Sequence, residues 1–145
     1  MKNITIYSDG SSLGNPGFGG WGTVLEFNGH TKELSGSQPN TTNNIMELKG
    51  AIEGIKALKE PCIVELISDS KYVVQGINEW LKNWERNNWK TAAKKPVKNV
   101  ELWQEYLEIS KQHSIKATWV KGHAGHPQNE RCDFLARSEA EKLRG

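Results

Sequence analysis

The sequence predicts an α/β fold in which helices flank a mixed five-stranded sheet, part antiparallel meander and part parallel. Three observations support this class. The chain opens with three consecutive strand-like segments, and Asn28-Gly29, a strong two-residue hairpin signal, joins the second to the third. Further along, short β-rich segments alternate with helical patterns. Such alternation is typical of parallel strands covered by helices, so we expect one sheet that contains both kinds of pairing.

The first three strands are predicted from alternation and turn residues. Residues 2–8 alternate strand-forming side chains and predict a strand that ends at Asp9. The glycine-rich stretch 10–17 predicts a loop. The second strand is predicted at 21–27 and the third at 30–38.

The remaining elements follow from hydrophobic periodicity and capping residues. Polar residues at 41–44 can cap a helix at 45–58, where apolar residues recur at helical spacing. The other predicted elements, in chain order, are a short buried-type strand at 63–68, two helices at 70–76 and 77–87 interrupted near Gly76, a basic loop at 88–99, a helix at 100–112, a strand at 115–120, a flexible loop at 121–126 and a helix from Pro127 to Leu143.

Length and composition restrict the class of protein. A chain of 145 residues is expected to form a single domain, residues 1–145. No apolar run approaches the roughly 20 residues that span a bilayer, and we expect no secretory signal because the N-terminal residues predict a strand without an apolar h-region or a small-residue cleavage site. Cys62 and Cys132 lie in unlike contexts, which predicts free thiols in a reducing cytoplasm. We expect a cytoplasmic monomer with no membrane partner and no obligate protein partner.

One segment is much more basic than the chain as a whole. Six Lys and Arg residues oppose a single Glu between Trp80 and Lys98, although the net charge of the chain is only +2. A local excess of this size indicates a docking surface for a polyanion.

Aspartate is rare in this chain, and its positions are informative. There are three Asp residues against fourteen Glu residues. Asp9 and Asp69 directly follow predicted strands, whereas Asp133 lies inside a predicted helix, where Asp is a mediocre choice. Glu47 and Asp133 each border the apolar stripe of their helix. Any one of these acids could instead cap a helix or pair with a lysine.

Acids at strand ends and helix rims can converge on one side of a sheet. Two like charges about 4 Å apart repel by roughly 4 kcal/mol at an effective dielectric constant near 20, so a cluster of four requires cations or protonation. Hard oxygen donors without clustered thiols favour Mg²⁺ or Mn²⁺. Two such ions about 4 Å apart would activate a water and stabilise the leaving oxygen of a phosphodiester. A zinc site at His123, His126 and Cys132 is the alternative, but it lacks an evident fourth ligand.

Several long motifs resemble one known family, type 1 ribonuclease H in its bacterial form. They cover nearly the whole chain in order and are very specific: 7–11 (YSDGS) with 14–17 (GNPG), 41–48 (TTNNIMEL), 68–73 (SDSKYV) and 119–127 (WVKGHAGHP) continuing to 129–133 (NERCD). The resemblance implies a ribonuclease H-like fold. It also implies an endonuclease that cuts the RNA strand of RNA–DNA hybrids with two Mg²⁺ ions, for which Mn²⁺ can substitute, and leaves 5′-phosphate and 3′-hydroxyl ends.

The resemblance further implies roles for individual residues. Asp9, Glu47, Asp69 and Asp133 match the metal ligands of the family. His123 lies in a glycine-flanked loop and matches the histidine that assists proton transfer or product release, a role that suits a side chain titrating near neutral pH.

The expected substrate contacts fall into two groups. Asn15, Asn43 and Asn44 match amides that contact the minor groove, where RNA 2′-hydroxyls distinguish the two strands. Thr42 and Asn43 match the site of a DNA-strand phosphate. The same side chains could instead cap turns and the first helix, and both roles are compatible because helix N-termini attract phosphate.

The second group lies in the basic segment, which matches the basic handle of the family, here residues 77–99. Its lysines would bind phosphates without sequence preference. Trp80 is expected to contact substrate, although its i, i+4 spacing with Trp84 predicts that at least one of the two packs between helices. The lysines concerned are Lys94, Lys95 and Lys98.

The chain departs from the family pattern at a few positions that affect substrate contact. Lys71, expected to contact substrate, stands where bacterial relatives often carry glutamine, and Ser12 and Asn40 also differ from some relatives. The alternative to a nuclease is a module that binds the hybrid without cutting it. Loss of a carboxylate would favour that alternative, and all four candidates are present.

Overall fold

The computed structural model describes residues 1–145 and contains one five-stranded sheet with the order β3-β2-β1-β4-β5. β1 pairs antiparallel with β2, and β2 antiparallel with β3, whereas β4 runs parallel to both β1 and β5. The predicted mixed sheet is therefore confirmed. The strands are β1 Lys2–Ser12, β2 Gly17–Phe27, β3 His30–Thr41, β4 Cys62–Ser68 and β5 Ser114–Trp119.

The antiparallel strands are longer than predicted. The hairpin at Asn28-Gly29 is confirmed, since both residues have positive φ and Phe27 pairs with His30. The predicted loop at 10–17 is confirmed at 13–16 and wrong at 10–12 and 17, which belong to β1 and β2. Residues 10–12 continue β1 by pairing with residues 19–21, because glycine-rich backbone can still form a regular ladder when a partner strand lies alongside.

Helices cover both faces of the sheet. α1 begins after Thr42, whose hydroxyl accepts a hydrogen bond from the Ile45 N–H at 3.2 Å and so caps the helix. α4 packs on α1, and α5 lies over β1, β2 and β3 on the opposite face. The predicted order of helices and strands is confirmed. The helices are α1 Asn43–Lys56, α2 Lys71–Gln75, α3 Leu81–Arg86, α4 Val100–Ser110 and α5 Pro127–Arg144.

The predicted break near Gly76 does not occur. Residues Gly76–Trp80 form a π-helical turn that joins α2 to α3. A Cβ atom at Gly76 would lie 2.1 Å from the Trp103 ring, so glycine is needed here for close packing and does not end a helix.

β4 is buried on one face only, and the expectation of a fully buried strand is wrong. Val64 and Leu66 lie in the core, whereas Ile63 is 43% exposed and Glu65 faces solvent. The physical reason is that α5 covers β1, β2 and β3 and leaves the same face of β4 open.

Aromatic rings support residues 77–99, which we call the handle. Trp103 is fully buried, and its ring centroid lies 5.4 Å from that of Trp84 and 5.6 Å from that of Tyr72. Trp84 in turn lies 5.7 Å from Trp80. The expectation that at least one of these two tryptophans packs between helices is confirmed.

Beyond the aromatic cluster the handle forms a tight loop. The Thr91 N–H donates to the Lys95 carbonyl at 2.8 Å, and the Val97 N–H donates to the Trp89 carbonyl at 3.0 Å. Val97 is buried and fixes the loop to the core, whereas the lysines around it are exposed. The loop therefore presents cations from a well-anchored base.

Two further properties bear on the expectations from sequence. Cys62 and Cys132 are free thiols, and both are buried. No helix of this structure combines the length and the apolar character that crossing a bilayer requires.

Candidate active site

Three carboxylates meet where β1 and β4 stop pairing. The last pair of this parallel ladder is Ser8 with Ser68, so Asp9 and Asp69 are neighbours just beyond it. The first turns of α1 bring Glu47 to the same place. One ligand oxygen from each of the three carboxylates lies within 4.8 Å of the other two. We call Asp9, Glu47 and Asp69 the carboxylate cluster.

Gly10 makes this approach possible. Its N–H donates to the Asp9 carboxylate at 2.8 Å and also to the Glu47 carboxylate. A Cβ atom at Gly10 would lie 2.2 Å from the Glu47 backbone nitrogen. Only glycine therefore allows α1 to lie close enough for Glu47 to reach Asp9.

Burial and mutual repulsion disfavour full ionisation of the carboxylate cluster. Burial raises the pKa of Asp9 to about 6, and the charge of Asp69 adds to this effect. Hydrogen bonds from Glu47 and Gly10 oppose it by lowering the pKa of Asp9. Burial, the hydrogen bond with Asp9 and the charge of Asp9 raise the pKa of Glu47 well above its ordinary value. Burial and the charge of Asp133 also raise the pKa of Asp69. A nearby cation would relieve this repulsion.

Asp133 lies beside the carboxylate cluster and not within it. Its charge raises the pKa of both Asp9 and Asp69. However, the group of possible metal ligands to which Asp133 belongs consists of His123, Glu130 and Asp133, whose ligand atoms all lie within 4.8 Å of one another. Arg137, one turn further along α5, places its guanidinium 2.9 Å from the Asp133 carboxylate. Four acids were expected to converge. In the structure, Asp9, Glu47 and Asp69 converge, whereas Asp133 lies beside them and forms an ion pair with Arg137 on its own helix.

The loop before α5 presents His123 to solvent. His123 has a left-handed backbone with φ of 57°, and its side chain is 74% exposed. Its Nδ1 atom lies 4.0 Å from the Glu130 carboxylate. Glu130 was missed in the sequence, although its spacing of three from Asp133 places both acids on one helix face. Neither metal-capable cluster contains His126 or Cys132, so the zinc alternative is not assembled.

The expected groove-binding amides line one open cleft. The Asn43 side-chain oxygen accepts from the Ser12 N–H at 2.7 Å, and the Asn15 side-chain oxygen accepts from the Asn43 N–H at 3.2 Å. Because the oxygens are used in this way, the amide NH₂ groups remain as outward donors. The cleft is lined by Asn15, Thr42, Asn43, Asn44, Ile45, Lys98 and Asn99.

The handle lysines do not form one patch. Lys98 lines the amide cleft, together with Asn99, which the sequence had not indicated as a site residue. Lys94 lines a different hollow with Arg86 and Lys90, and Lys95 is exposed beside it. Lys94 and Lys98 therefore line different hollows, and only that of Lys98 is shared with the start of α1.

Lys71 and Trp119 lie together next to the carboxylate cluster. The Lys71 ammonium is 5.0 Å from the centroid of the Trp119 ring, which is itself 43% exposed. This places a cation near Asp69 at the position where the sequence departs from the family pattern. Trp80, the other expected contact of this region, is half-buried on the aromatic cluster.

Comparisons with known proteins agree with the fold. The family model described as RNase H matches residues 1–141. The chain is 61% identical to a protein named ribonuclease H from Campylobacter concisus (strain 13826) over 99% of this chain and 96% of that protein. It is 59% identical to another from Sulfurovum sp. (strain NBC37-1), over 99% and 94%. The crystal structure of LC9-RNase H1, described as a type 1 RNase H with the type 2 active-site motif, superposes with a TM-score of 0.89 at 31% identity, over 99% of this chain and 74% of that one.

These matches define a nuclease of the ribonuclease H fold class. The chain belongs to the ribonuclease H family and, within it, to the bacterial type 1 enzymes. The activity that accompanies this membership is endonucleolytic hydrolysis of the RNA strand of RNA–DNA hybrids.

Proposed function

We propose that the carboxylate cluster and Asp133 hold two Mg²⁺ ions, with Mn²⁺ as a substitute, and that hybrid cleavage occurs there. The observation that carries the proposal is the approach of three carboxylates to within 4.8 Å at one edge of the sheet. The donors are all oxygens, which suits a hard cation, and the raised pKa values of Asp9 and Glu47 indicate that the site favours added positive charge. When bound, such a pair of ions polarises the scissile phosphate and favours ionisation of the attacking water.

The residues of the chain have distinct roles around that phosphate. The Gly10 N–H donates to both the Asp9 and the Glu47 carboxylate and so orients them toward each other. Asp133 would be drawn from Arg137 toward the ions, since a divalent cation attracts a carboxylate more strongly than an exposed guanidinium does. His123, exposed on a loop, would exchange a proton with the reacting oxygens or with departing product, and the Glu130 carboxylate lies 4.0 Å from its Nδ1 atom.

The amide cleft is proposed to hold the DNA strand of the hybrid. A phosphate there would meet the N-terminus of α1, the Thr42 hydroxyl and the Lys98 ammonium. The NH₂ groups of Asn15 and Asn43 can donate to groove atoms, with Asn44 beside them. In the minor groove of the hybrid, the RNA strand carries 2′-hydroxyls and the DNA strand does not. Donors that contact this groove can therefore distinguish the two strands.

The handle and Lys71 are proposed to extend the contact along the duplex. Lys94 and Lys95 would bind phosphates on one side of the handle, and the exposed edge of Trp80 would pack against the backbone. Lys71 would approach the RNA strand near Asp69. We also propose that residues 1–145 act as a single-domain monomer in the cytoplasm. The one continuous hydrophobic core and the two buried free thiols support this proposal.

Cleavage of end-labelled RNA in an RNA–DNA hybrid tests the proposal. We expect Mg²⁺-dependent cutting of the hybrid RNA, with 5′-phosphate and 3′-hydroxyl ends, that stops on addition of a chelator. RNA–RNA and DNA–DNA duplexes of the same sequence are the controls and should stay intact. Tight binding of the hybrid without cleavage in Mg²⁺ or Mn²⁺ would instead establish the non-cleaving binding module.

A further inference from the structure

The end of β5 contacts the segment that carries Asp69. Trp119 is the last residue of β5 and pairs with Ser68, the last residue of β4. Asp69 lies one residue beyond both ladders that β4 forms, since the pairing of β4 with β1 also ends at Ser68. Asp69 therefore has no partner residue in either neighbouring strand. The sheet alone does not fix its position.

A side chain takes the place of a ladder partner. The Trp119 indole N–H donates to the Asp69 backbone carbonyl at 2.9 Å. This tryptophan is 43% exposed, so burial of its ring explains its position less well than it would for a core residue. The indole nitrogen is a donor only, and here its hydrogen bond is directed at the main chain of a proposed metal ligand.

Two further contacts surround the same aspartate. The Val120 N–H donates to the Ser68 carbonyl at 3.0 Å, one residue before Asp69. A Cβ atom at Gly122 would lie 2.6 Å from the Asp69 carboxylate oxygen Oδ2. Residues 119–122 thus hold the backbone of Asp69 and also lie directly against its carboxylate. On the solvent side, the Lys71 ammonium lies 5.0 Å from the centroid of the Trp119 ring.

We propose that Trp119 is a positioning residue that fixes Asp69 for binding of a divalent ion through its indole hydrogen bond. The inference depends on the proposed role of Asp69 as a metal ligand. It adds a residue that contacts neither the ion nor the reacting atoms. Residues that orient metal ligands commonly affect metal affinity by roughly 10–100-fold.

Trp119→Phe tests the proposal, because it keeps an aromatic ring and removes the N–H donor. We expect the Mg²⁺ concentration for half-maximal cleavage to rise roughly 10-fold, within the range for partners of metal ligands. At fixed subsaturating Mg²⁺, kcat should fall while KM for the hybrid stays within about twofold. Calorimetric titration of the free protein with Mg²⁺ should show the same reduction in affinity without any substrate.

Thr118→Val is the matched control. The Thr118 hydroxyl donates to the Glu65 carboxylate at 3.2 Å, so this variant also removes one side-chain hydrogen bond between β5 and β4, but not one that involves Asp69. It should leave the Mg²⁺ midpoint unchanged. An equal shift in both variants would show general loosening of β5 and would overturn the proposal.

A second variant keeps the test decisive should Phe at position 119 impair folding. Gly122→Ala lies in an exposed loop and presses a methyl group against the Asp69 carboxylate. It should raise the Mg²⁺ midpoint with little change in thermal stability.

Asp69→Asn separates the positioning role from the metal role. If that variant loses Mg²⁺ binding while Trp119→Phe and Gly122→Ala bind Mg²⁺ as the parent does, the positioning role is wrong and the metal role stands. If Asp69→Asn binds Mg²⁺ normally, the metal role itself is wrong.

Discussion

The carboxylate cluster and the handle are opposite in charge and in construction. The cluster lies on the core, where the ends of two parallel strands and the start of α1 converge, and none of its three side chains is fully exposed. The handle carries its cations on an exposed loop that contacts the core through Val97 and an aromatic base. Like charges are forced together in the first region, whereas they are dispersed in solvent in the second.

This difference indicates how each region contributes to function. Crowded, half-buried carboxylates are costly in the folded chain unless cations are bound, so the cluster is suited to hold ions in fixed positions. Solvated lysines cost little and bind phosphates with a strong dependence on salt and little dependence on geometry. We therefore expect changes in the cluster to affect chemistry and changes in the handle to affect affinity.

The largest expected effect is the loss of cleavage on Asp9→Asn. The variant keeps the side-chain volume but removes a charged oxygen donor, so kcat should fall by more than the roughly 10–100-fold that the loss of an outer partner of a metal site causes. Binding of the hybrid should persist, because its proposed contacts lie elsewhere. Glu60→Gln, at an exposed acid paired with Lys2, removes the same charge and should cleave normally. Cleavage by Asp9→Asn at parental rates would remove the distinction between the two regions.

The same variant should be more stable than the parent in the absence of metal. The native pKa of Asp9, about 6 against its ordinary value of 3.8, means that the folded state binds this proton more tightly than the unfolded state. The parent therefore loses stability as pH rises from about 4 to about 6, by up to about 3 kcal/mol at 1.36 kcal/mol per pKa unit.

Urea unfolding in chelator at pH 7.5 and at pH 3.5 measures this effect. Asp9→Asn should unfold at a higher urea concentration than the parent at pH 7.5, and the difference should shrink at pH 3.5, where the parental carboxyl is largely protonated in both states. Added Mg²⁺ should stabilise the parent more than the variant. A difference that is independent of pH would show that repulsion in the cluster is not its cause.

Neutralising the handle should weaken binding and leave metal affinity unchanged. Replacement of Lys94, Lys95 and Lys98 by Gln should reduce the slope of log K against log salt by roughly 0.7–0.9 for each phosphate that is no longer neutralised. Fluorescence anisotropy of a labelled hybrid between low and physiological salt provides the measurement. Replacement of Lys32, Lys59 and Lys142, which lie outside the handle, serves as the charge-matched control. Equal slopes for both triple variants and the parent would exclude the proposed role.

The smallest expected effect is that of Lys71→Gln. Loss of one exposed charge contact with the hybrid costs roughly 0.2–1 kcal/mol, which corresponds to a change of at most about fivefold. We expect KM for the hybrid to rise within that range in steady-state kinetics, with kcat at saturating Mg²⁺ close to that of the parent. A decrease in kcat without a change in KM would place Lys71 with the cluster instead of with the binding surfaces.

Local pattern was sufficient to predict the cluster but not its surroundings. Asp9 and Asp69 follow strand-like segments, and parallel strands end at a common edge, so their proximity could be predicted from sequence. Glu47 followed from its position on a helical stripe. The ion pair of Asp133 with Arg137, by contrast, competes with the gathering of the acids, and sequence spacing alone does not decide between the two.

The residues that were missed depend on contacts between distant segments. Asn99 joins the amide cleft only because the handle folds back against the start of α1. The Gly10 N–H reaches Glu47 only because α1 lies directly on the end of β1. The local sequence predicts only that Trp119 lies in a strand. Its hydrogen bond to the Asp69 carbonyl depends on where the parallel ladders of β4 end. Such features are set by tertiary register, which periodicity does not specify.

Diffraction from crystals of the chain grown with Mn²⁺, with anomalous data collected near the manganese edge, would locate the ions directly. We predict anomalous peaks between the carboxylates of Asp9, Glu47 and Asp69, with Asp133 turned toward them and away from Arg137. The absence of any peak among these three carboxylates at saturating Mn²⁺, or a single peak only at His123 and Glu130, would contradict the proposed metal site.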